Sequence, residues 1–190
     1  MPFTYTNRKG FTYYLCLGIT KTGKSRYYFA RQPKDTLVDA VPDGYQVEES
    51  VNGIVSLVKA HPQLISAGEL VCVDTELKKH PQGQKYRAVI KKDQIVIYES
   101  QAPDLSLIFA QVGWMAPNNQ AQEWMERRAQ FSPIMRFILA NSEKRVFAPQ
   151  RWCFRGSIDD WIDVKSPGEI SFLAKQLIPI LGTDEFFELF

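Results

Sequence analysis

Apolar and aromatic side chains in the first sixty residues fall into short runs broken by Gly and Pro, the pattern of strands joined by turns. Thr12-Tyr13-Tyr14-Leu15-Cys16-Leu17-Gly18-Ile19-Thr20 is rich in β-branched and aromatic residues, which suit a pleated surface. Lys21-Thr22-Gly23-Lys24 reads as a turn, with Gly23 able to take positive φ, and Arg26-Tyr27-Tyr28-Phe29-Ala30 as the returning strand. Val41-Pro42-Asp43-Gly44 turns the chain into a third strand at Tyr45-Gln46-Val47-Glu48, and Val51-Asn52-Gly53-Ile54 turns it into a fourth over Ile54-Val55-Ser56-Leu57-Val58. The expected product is a three- or four-stranded antiparallel meander.

The period lengthens after Pro62. Leu64, Ile65, Leu70, Val71, Val73 and Leu77 recur near helical spacing, and Ser66 with Glu69 three residues on makes a capping box. Pro81 requires that helix to stop by Lys79. Lys85–Ile90 and Ile95–Tyr98 flank Lys91-Lys92-Asp93-Gln94 as a second hairpin. Leu105, Leu107, Ile108 and Phe109 read as buried, and Asn118 as the cap of a helix over Gln120–Gln130 with Trp124 and Met125 on its apolar side. Ile134–Leu139 and Arg145–Ala148 make a third hairpin, turning at Asn141–Lys144. Ser157 and Asp160 suggest the start of a short helix holding Trp161 and Ile162. Pro167 suits the first turn of a last helix whose face is Ile170, Leu173, Ala174, Leu177 and Ile178, and which Pro179 bends or ends. Phe186, Phe187, Leu189 and Phe190 form an apolar tail expected to dock.

Strands therefore arrive in hairpins separated by helices, without the βαβ rhythm of a doubly wound sheet. The fold class expected is α+β: antiparallel hairpins or a meander with three to four helices, divided into a small β module over 1–61 and an α+β body over 62–190. The 190 residues, 45% hydrophobic, 23% charged and 13% aromatic, suffice for a core that needs neither metal nor disulfide, and no cofactor is implied. No apolar run approaches the roughly 20 residues of a membrane helix, and the N-terminus lacks a secretory h-region. Cys16, Cys72 and Cys153 are distant and odd in number, which points to reduced, buried thiols in a cytoplasm.

Charge changes this picture. The net +2 hides seven Lys/Arg against one Asp up to Asp35 (+6), near balance from Thr36 to Gly156 (+1), and two Lys against seven Asp/Glu from Ser157 onward (−5). The basic head either meets an anionic partner or meets the acidic tail. Within the head, Arg8, Lys9, Lys21, Lys24, Arg26 and Arg31 are interleaved with Phe11, Tyr13, Tyr14, Tyr27, Tyr28 and Phe29. Cations neutralise phosphates and exposed rings stack on bases, so Arg8, Lys9, Lys21, Lys24, Arg26, Tyr28 and Arg31 are the candidate nucleic-acid-binding residues. The plainer reading is a sheet core with a solvated basic face. Alternation puts Tyr13 with Leu15 on one face and Tyr14 with Cys16 on the other, so at least one aromatic face must be covered or functional.

Two groups of motifs resemble a family of uncharacterised bacterial proteins. One is Tyr13-Tyr14-Leu15 with Gly18, Thr20-Lys21-Thr22-Gly23-Lys24, Tyr27, Phe29, Ala40, Pro42, Gly44 and Tyr45. The other is Arg151-Trp152-Cys153-Phe154-Arg155-Gly156-Ser157-Ile158-Asp159-Asp160-Trp161 with the terminal Phe187-Glu188-Leu189-Phe190. The resemblance implies a bacterial intracellular protein and brings with it no reaction, ligand or catalytic residue.

Other signals are weaker. Gly18–Ser25 spells GxxxxGKS, but a phosphate loop needs a helix after the Ser, and Arg26-Tyr27-Tyr28-Phe29 is a strand pattern. Asp159, Asp160 and Asp163 read as an acidic first helical turn rather than a cation site, since further oxygen ligands are missing. His61 and His80 each neighbour a Pro and lack metal-ligand spacing to a Cys; a dyad of either with Cys153 has no positive support. With no catalytic constellation, the expected function is a non-catalytic interaction module whose N-terminal sheet contacts nucleic acid or protein. The alternatives are an enzyme with an unidentified active site and a structural or regulatory subunit; the oligomeric state is left open, and no membrane partner is implied.

Overall fold

The computed structural model describes residues 1–33, 35–102, 128–155 and 157–189, without the side chains of Arg155 and Ile158. The burial expected for Leu105, Leu107, Ile108 and Phe109 and the helix expected over Gln120–Gln130 lie outside the described residues except at its end, where Arg128 is helical and Ala129 and Gln130 are not. The protein is α+β: antiparallel sheets with three α-helices among the described residues. None of these helices is long and apolar enough to cross a membrane. Contacts divide the chain into two compact units, Met1–His61 with Ala102–Gln130, and Pro62–Gln101 with Phe131–Phe190.

In the first unit, β1 (Thr4–Thr6), β2 (Thr12–Ile19) and β3 (Ser25–Ala30) lie side by side, and β4 (Thr36–Leu37) pairs with β2 as well. The β2–β3 hairpin runs in register from Tyr14 opposite Ala30 to Ile19 opposite Ser25. Its turn is closed by the Thr20 N–H on the Lys24 carbonyl at 2.8 Å, with Gly23 at φ +80°, a conformation costly for a residue with a Cβ. A single meander is not what forms. After β3 the chain crosses to the other edge of β2, where the Val38 N–H donates to Leu15 and the Val38 carbonyl accepts from Phe3. The next strands, β5 (Tyr45–Glu49) and β6 (Val55–Lys59), then pair only with each other as a separate ribbon.

The second unit opens with α1 (Ala67–Lys79). Its capping box is complete: the Ser66 N–H donates to Glu69 Oε2 at 2.7 Å, and the Glu69 N–H to Ser66 Oγ at 3.3 Å. A 3-10 turn at Gly83–Lys85 leads into β7 (Tyr86–Lys91) and β8 (Gln94–Ser100), followed by β9 (Phe131–Asn141), β10 (Val146–Arg155), β11 (Ile158–Asp163) and β12 (Gly168–Glu169). The sheet order is β11-β10-β9-β8-β7, with β12 beside the start of β10. Then come α2 (Ile170–Leu177) and α3 (Asp184–Glu188). One face of the sheet buries Ile95, Ile97, Met135, Phe137 and Phe147 in a cluster with Val73 and Leu77 of α1 and Leu173 and Ala174 of α2.

Two sequence expectations in this unit are corrected. Ser157–Asp163 does not start a helix: Ile158–Asp163 is a strand whose six residues each face one on β10, with Trp161 edge-on to Trp152 at 5.2 Å between ring centroids. A full ladder with a cross-strand aromatic pair outweighs a local capping signal. The three aspartates therefore lie on a strand; Asp163 accepts from the Gln150 amide at 2.8 Å. Pro167 stands outside α2, whose N-cap is Glu169. The predicted face of α2 is buried throughout. All three cysteines are free thiols; Cys16 and Cys153 are buried, whereas Cys72 is only half-buried.

Glu69 does more than cap α1. Its carboxylate takes Arg145 in a bidentate pair, Nε to Oε1 at 2.7 Å and Nη2 to Oε2 at 2.5 Å. Burial pushes its pKa up, but the hydrogen bonds from Arg145 and Ser66 outweigh that and hold it below the usual 4.5. A folded pKa below the unfolded one gives stability that is fully present above pH 4.5 and lost as pH falls through the folded value. Acid unfolding of Glu69→Gln, followed by circular dichroism, should show a flatter limb below that pH than the wild type. A second prediction concerns Gly83. A Cβ built there sits 2.1 Å from the Leu77 carbonyl oxygen, a backbone atom that cannot swing aside. Gly83→Ala should cost about 2 kcal/mol in urea unfolding, the scale of core overpacking.

Candidate nucleic-acid interface

The structure separates the seven candidate residues into two groups at opposite ends of the β2–β3 hairpin. Arg8, Lys9 and Arg31 lie at one end; Lys21, Lys24, Arg26 and Tyr28 lie towards the other. Five residues of strand separate the pairs at Ala30 and Ser25, about 17 Å at roughly 3.4 Å per residue.

The first group is built on Asn7, which sequence reasoning passed over. Asn7 is 4% exposed; its Oδ1 accepts from the Phe11 N–H at 2.9 Å and the Lys9 N–H at 3.1 Å, and its Nδ2 donates to the Gly53 carbonyl at 2.6 Å. That Asx turn fixes the loop between β1 and β2 and anchors it to the β5–β6 turn. Arg31 sits just past β3 on the same face as Phe29, Tyr27 and Tyr13. Its guanidinium lies 3.7 Å from the Phe11 ring centroid and 5.6 Å from that of Tyr13. Arg31 is itself exposed, so the stack leaves an open outer side. Lys9 is half-buried; burial first, then the charges of Arg8 and Arg31, push its pKa down. Lys9 thus feels the charges of both arginines. Two Arg8 guanidinium nitrogens, Nε and Nη2, are buried. Glu49 lies beneath the same corner, accepting the Tyr5 hydroxyl at 3.0 Å and the Arg8 backbone N–H at 2.9 Å; burial, then Glu49, raises the Tyr5 pKa.

At the other end, Lys21, Arg26, Tyr28, Gly18 and Asp35 line a shallow cleft of about 350 Å³. The Tyr28 hydroxyl donates to Asp35, and that hydrogen bond, with burial and the carboxylate charge, pushes the phenol up to about 12. Gly18 is needed here for space: a Cβ would stand 2.5 Å from Asp35 Oδ2 and 3.1 Å from the Tyr28 ring. Asp35 opposes phosphate at this end, a feature that its distance in sequence from Gly18 concealed. Lys24 projects from the exposed turn. The GxxxxGKS string spans strand, turn and strand, with Gly18 opposite Arg26, and no helix follows Ser25.

Other aromatics of the hairpin are engaged in packing. Phe29 tilts against Phe3 at 6.3 Å and Tyr27 against Tyr45 at 6.2 Å. Leu15 and Cys16, on opposite faces of β2, are both fully buried. The centre of β2 is therefore covered on both faces, while Tyr27 of β3 stays 36% exposed. No group of three metal-ligating side chains occurs among the described residues. No family model, curated protein or solved structure matches this chain.

Proposed function

We propose that the chain is a non-catalytic interaction protein of the bacterial cytoplasm whose first unit binds single-stranded nucleic acid at the corner formed by Arg31, Phe11, Tyr13 and Lys9. The observation that carries this reading is the exposed Arg31 guanidinium 3.7 Å from the Phe11 ring centroid, close enough to Lys9 to lower its pKa. A splayed base stacks on such a plane, while Lys9 and Arg31 neutralise adjacent phosphates. Duplex bases are already stacked, so single strands are the better fit. The bacterial, cytoplasmic setting is supported by the motif resemblance and by three free thiols.

Fluorescence anisotropy with a labelled single-stranded oligonucleotide of about 12 nucleotides, the site-size range of small binding modules, tests the proposal. Saturable low-salt binding that is weaker for the matching duplex is expected. No binding to DNA or RNA at low salt overturns it. Recovery from the host of a nuclease-resistant complex with an acidic protein would instead assign the basic corner to a protein partner.

A further inference from the structure

The second unit carries a feature independent of the nucleic-acid reading. β11 is the end strand of the six-stranded sheet: its six residues all face β10, and no strand pairs with its other side among the described residues. Asp159, Asp160 and Asp163 on it are exposed. A free edge of this kind offers unpaired N–H and C=O groups to any second strand.

Two bonds give the direction of those groups. Along an antiparallel ladder, residues alternately turn both backbone groups to one neighbour and both to the other. The Val164 N–H donates to the Pro149 carbonyl of β10 at 3.2 Å, so Val164, Ile162 and Asp160 turn towards β10. Asp159, Trp161 and Asp163 therefore turn outward. Trp161 agrees with this: its N–H donates to Asp160 Oδ1 at 2.7 Å. The central outward donor of the edge is thus taken by the side chain of the preceding residue. The Trp161 ring is fixed as well, by edge-on Trp152 and by the Arg136 guanidinium 4.3 Å from its centroid.

The outward triplet is symmetric about Trp161. A second copy can add antiparallel about a two-fold axis there, setting Trp161 opposite Trp161 and Asp159 opposite Asp163 on both flanks. That register has an aromatic pair at its centre, which is favourable, and a like-charge pair on either side, which is not. It also needs the Trp161 N–H that Asp160 occupies. We propose that β11 is an edge for pairing two copies of this chain, held closed by Asp160 on the Trp161 N–H and by the facing carboxylates of Asp159 and Asp163.

Sedimentation velocity at up to about 0.3 mM, where even a submillimolar dimer is populated, tests this. The edge is short, so its dimer belongs to the weak class. Asp160→Ala frees the N–H and removes a charge, and should pair at least tenfold more tightly than the wild type. Asp159→Lys/Asp160→Ala turns both flanks into Lys–Asp pairs and should gain at least tenfold again. Adding Asp163→Lys sets Lys opposite Lys and should return the affinity to that of Asp160→Ala or below. Asp159 and Asp160 are exposed, so the first two variants should melt like the wild type. Should the Asp163→Lys chain melt lower, having lost the Gln150 bond, Asp159→Asn/Asp160→Ala takes its place and should pair less tightly than its Lys counterpart. Variants that sediment as the wild type does overturn the proposal. So does a wild type that already pairs as tightly as Asp160→Ala, or an affinity that does not distinguish the Lys–Asp flanks from their control.

Discussion

Arg31→Ala is expected to weaken single-stranded oligonucleotide binding at least tenfold, whereas Arg26→Ala at the other end of the hairpin should change it no more than about twofold. Base stacking on a fixed planar group is worth about 1–3 kcal/mol per base, and one phosphate contact adds to it. Arg31 supplies both, because Phe11 and Tyr13 hold its guanidinium in place before any ligand arrives. Pre-organisation of this kind reduces the ordering cost that an unsupported arginine meets on binding. Arg26 lies 5.7 Å from the Tyr28 ring centroid, but it shares its cleft with Asp35, whose charge repels phosphate. Arg31→Lys separates the two contributions. It keeps the charge but loses the plane, and should recover only a minor part of the affinity. Since Arg31 is exposed, none of these variants should shift the melting temperature appreciably, and anisotropy titrations at fixed salt suffice to rank them.

The largest effect on stability is expected at Arg151. This residue of β10 is 4% exposed, and its guanidinium reaches the chain's last helical turn, Nε donating to the Leu189 carbonyl at 3.0 Å and Nη2 to the Phe187 carbonyl at 2.8 Å. The clamp holds α3 so that Phe186, 2% exposed, stays in the core. Arg151→Ala removes charge-assisted hydrogen bonds and leaves a void beneath the tail. The expected cost is about 3 kcal/mol, from the usual ranges for such bonds and for truncation of a large buried side chain. Urea unfolding should show the loss, with earlier proteolytic clipping after residue 180 than in the wild type. A loss under about 1 kcal/mol, the worth of one ordinary hydrogen bond, would mean the tail docks without the clamp.

Local features of the fold were legible in the sequence where one element carried its own signal. The β2–β3 hairpin shows in its aromatic strands and in Gly23. The start of α1 shows in Ser66 and Glu69, and the buried face of α2 in the spacing of Ile170, Leu173, Ala174 and Leu177. Where a distant partner decides, the local signal misled. Ser157 and Asp160 look like a helix start, but Cys153 and Trp152 on β10 recruit Asp160 and Trp161 into a ladder. Likewise β5 and β6 are readable as strands, while their separation from β2 depends on Val38 bonding to Phe3 and Leu15. The candidate site divides in the same way. Its cations and rings are visible as residue types, and alternation places Tyr13 with Leu15 on one face. The grouping of Arg31 with Phe11 rests on the Asx turn of Asn7, and the Tyr28–Asp35 contact on a chain crossing; neither leaves a pattern in the sequence.

The most direct test of the basic corner as a nucleic-acid interface is the salt dependence of single-strand affinity in the wild type and in Lys9→Ala/Arg31→Ala. Each phosphate neutralised on a single strand contributes about −0.7 to the slope of log K against log salt. The wild type should give a slope of about −2, for roughly three contacts, and the double variant should flatten it by about 1.4. A wild-type affinity insensitive to salt, or a slope the double variant leaves unchanged, would contradict the assignment.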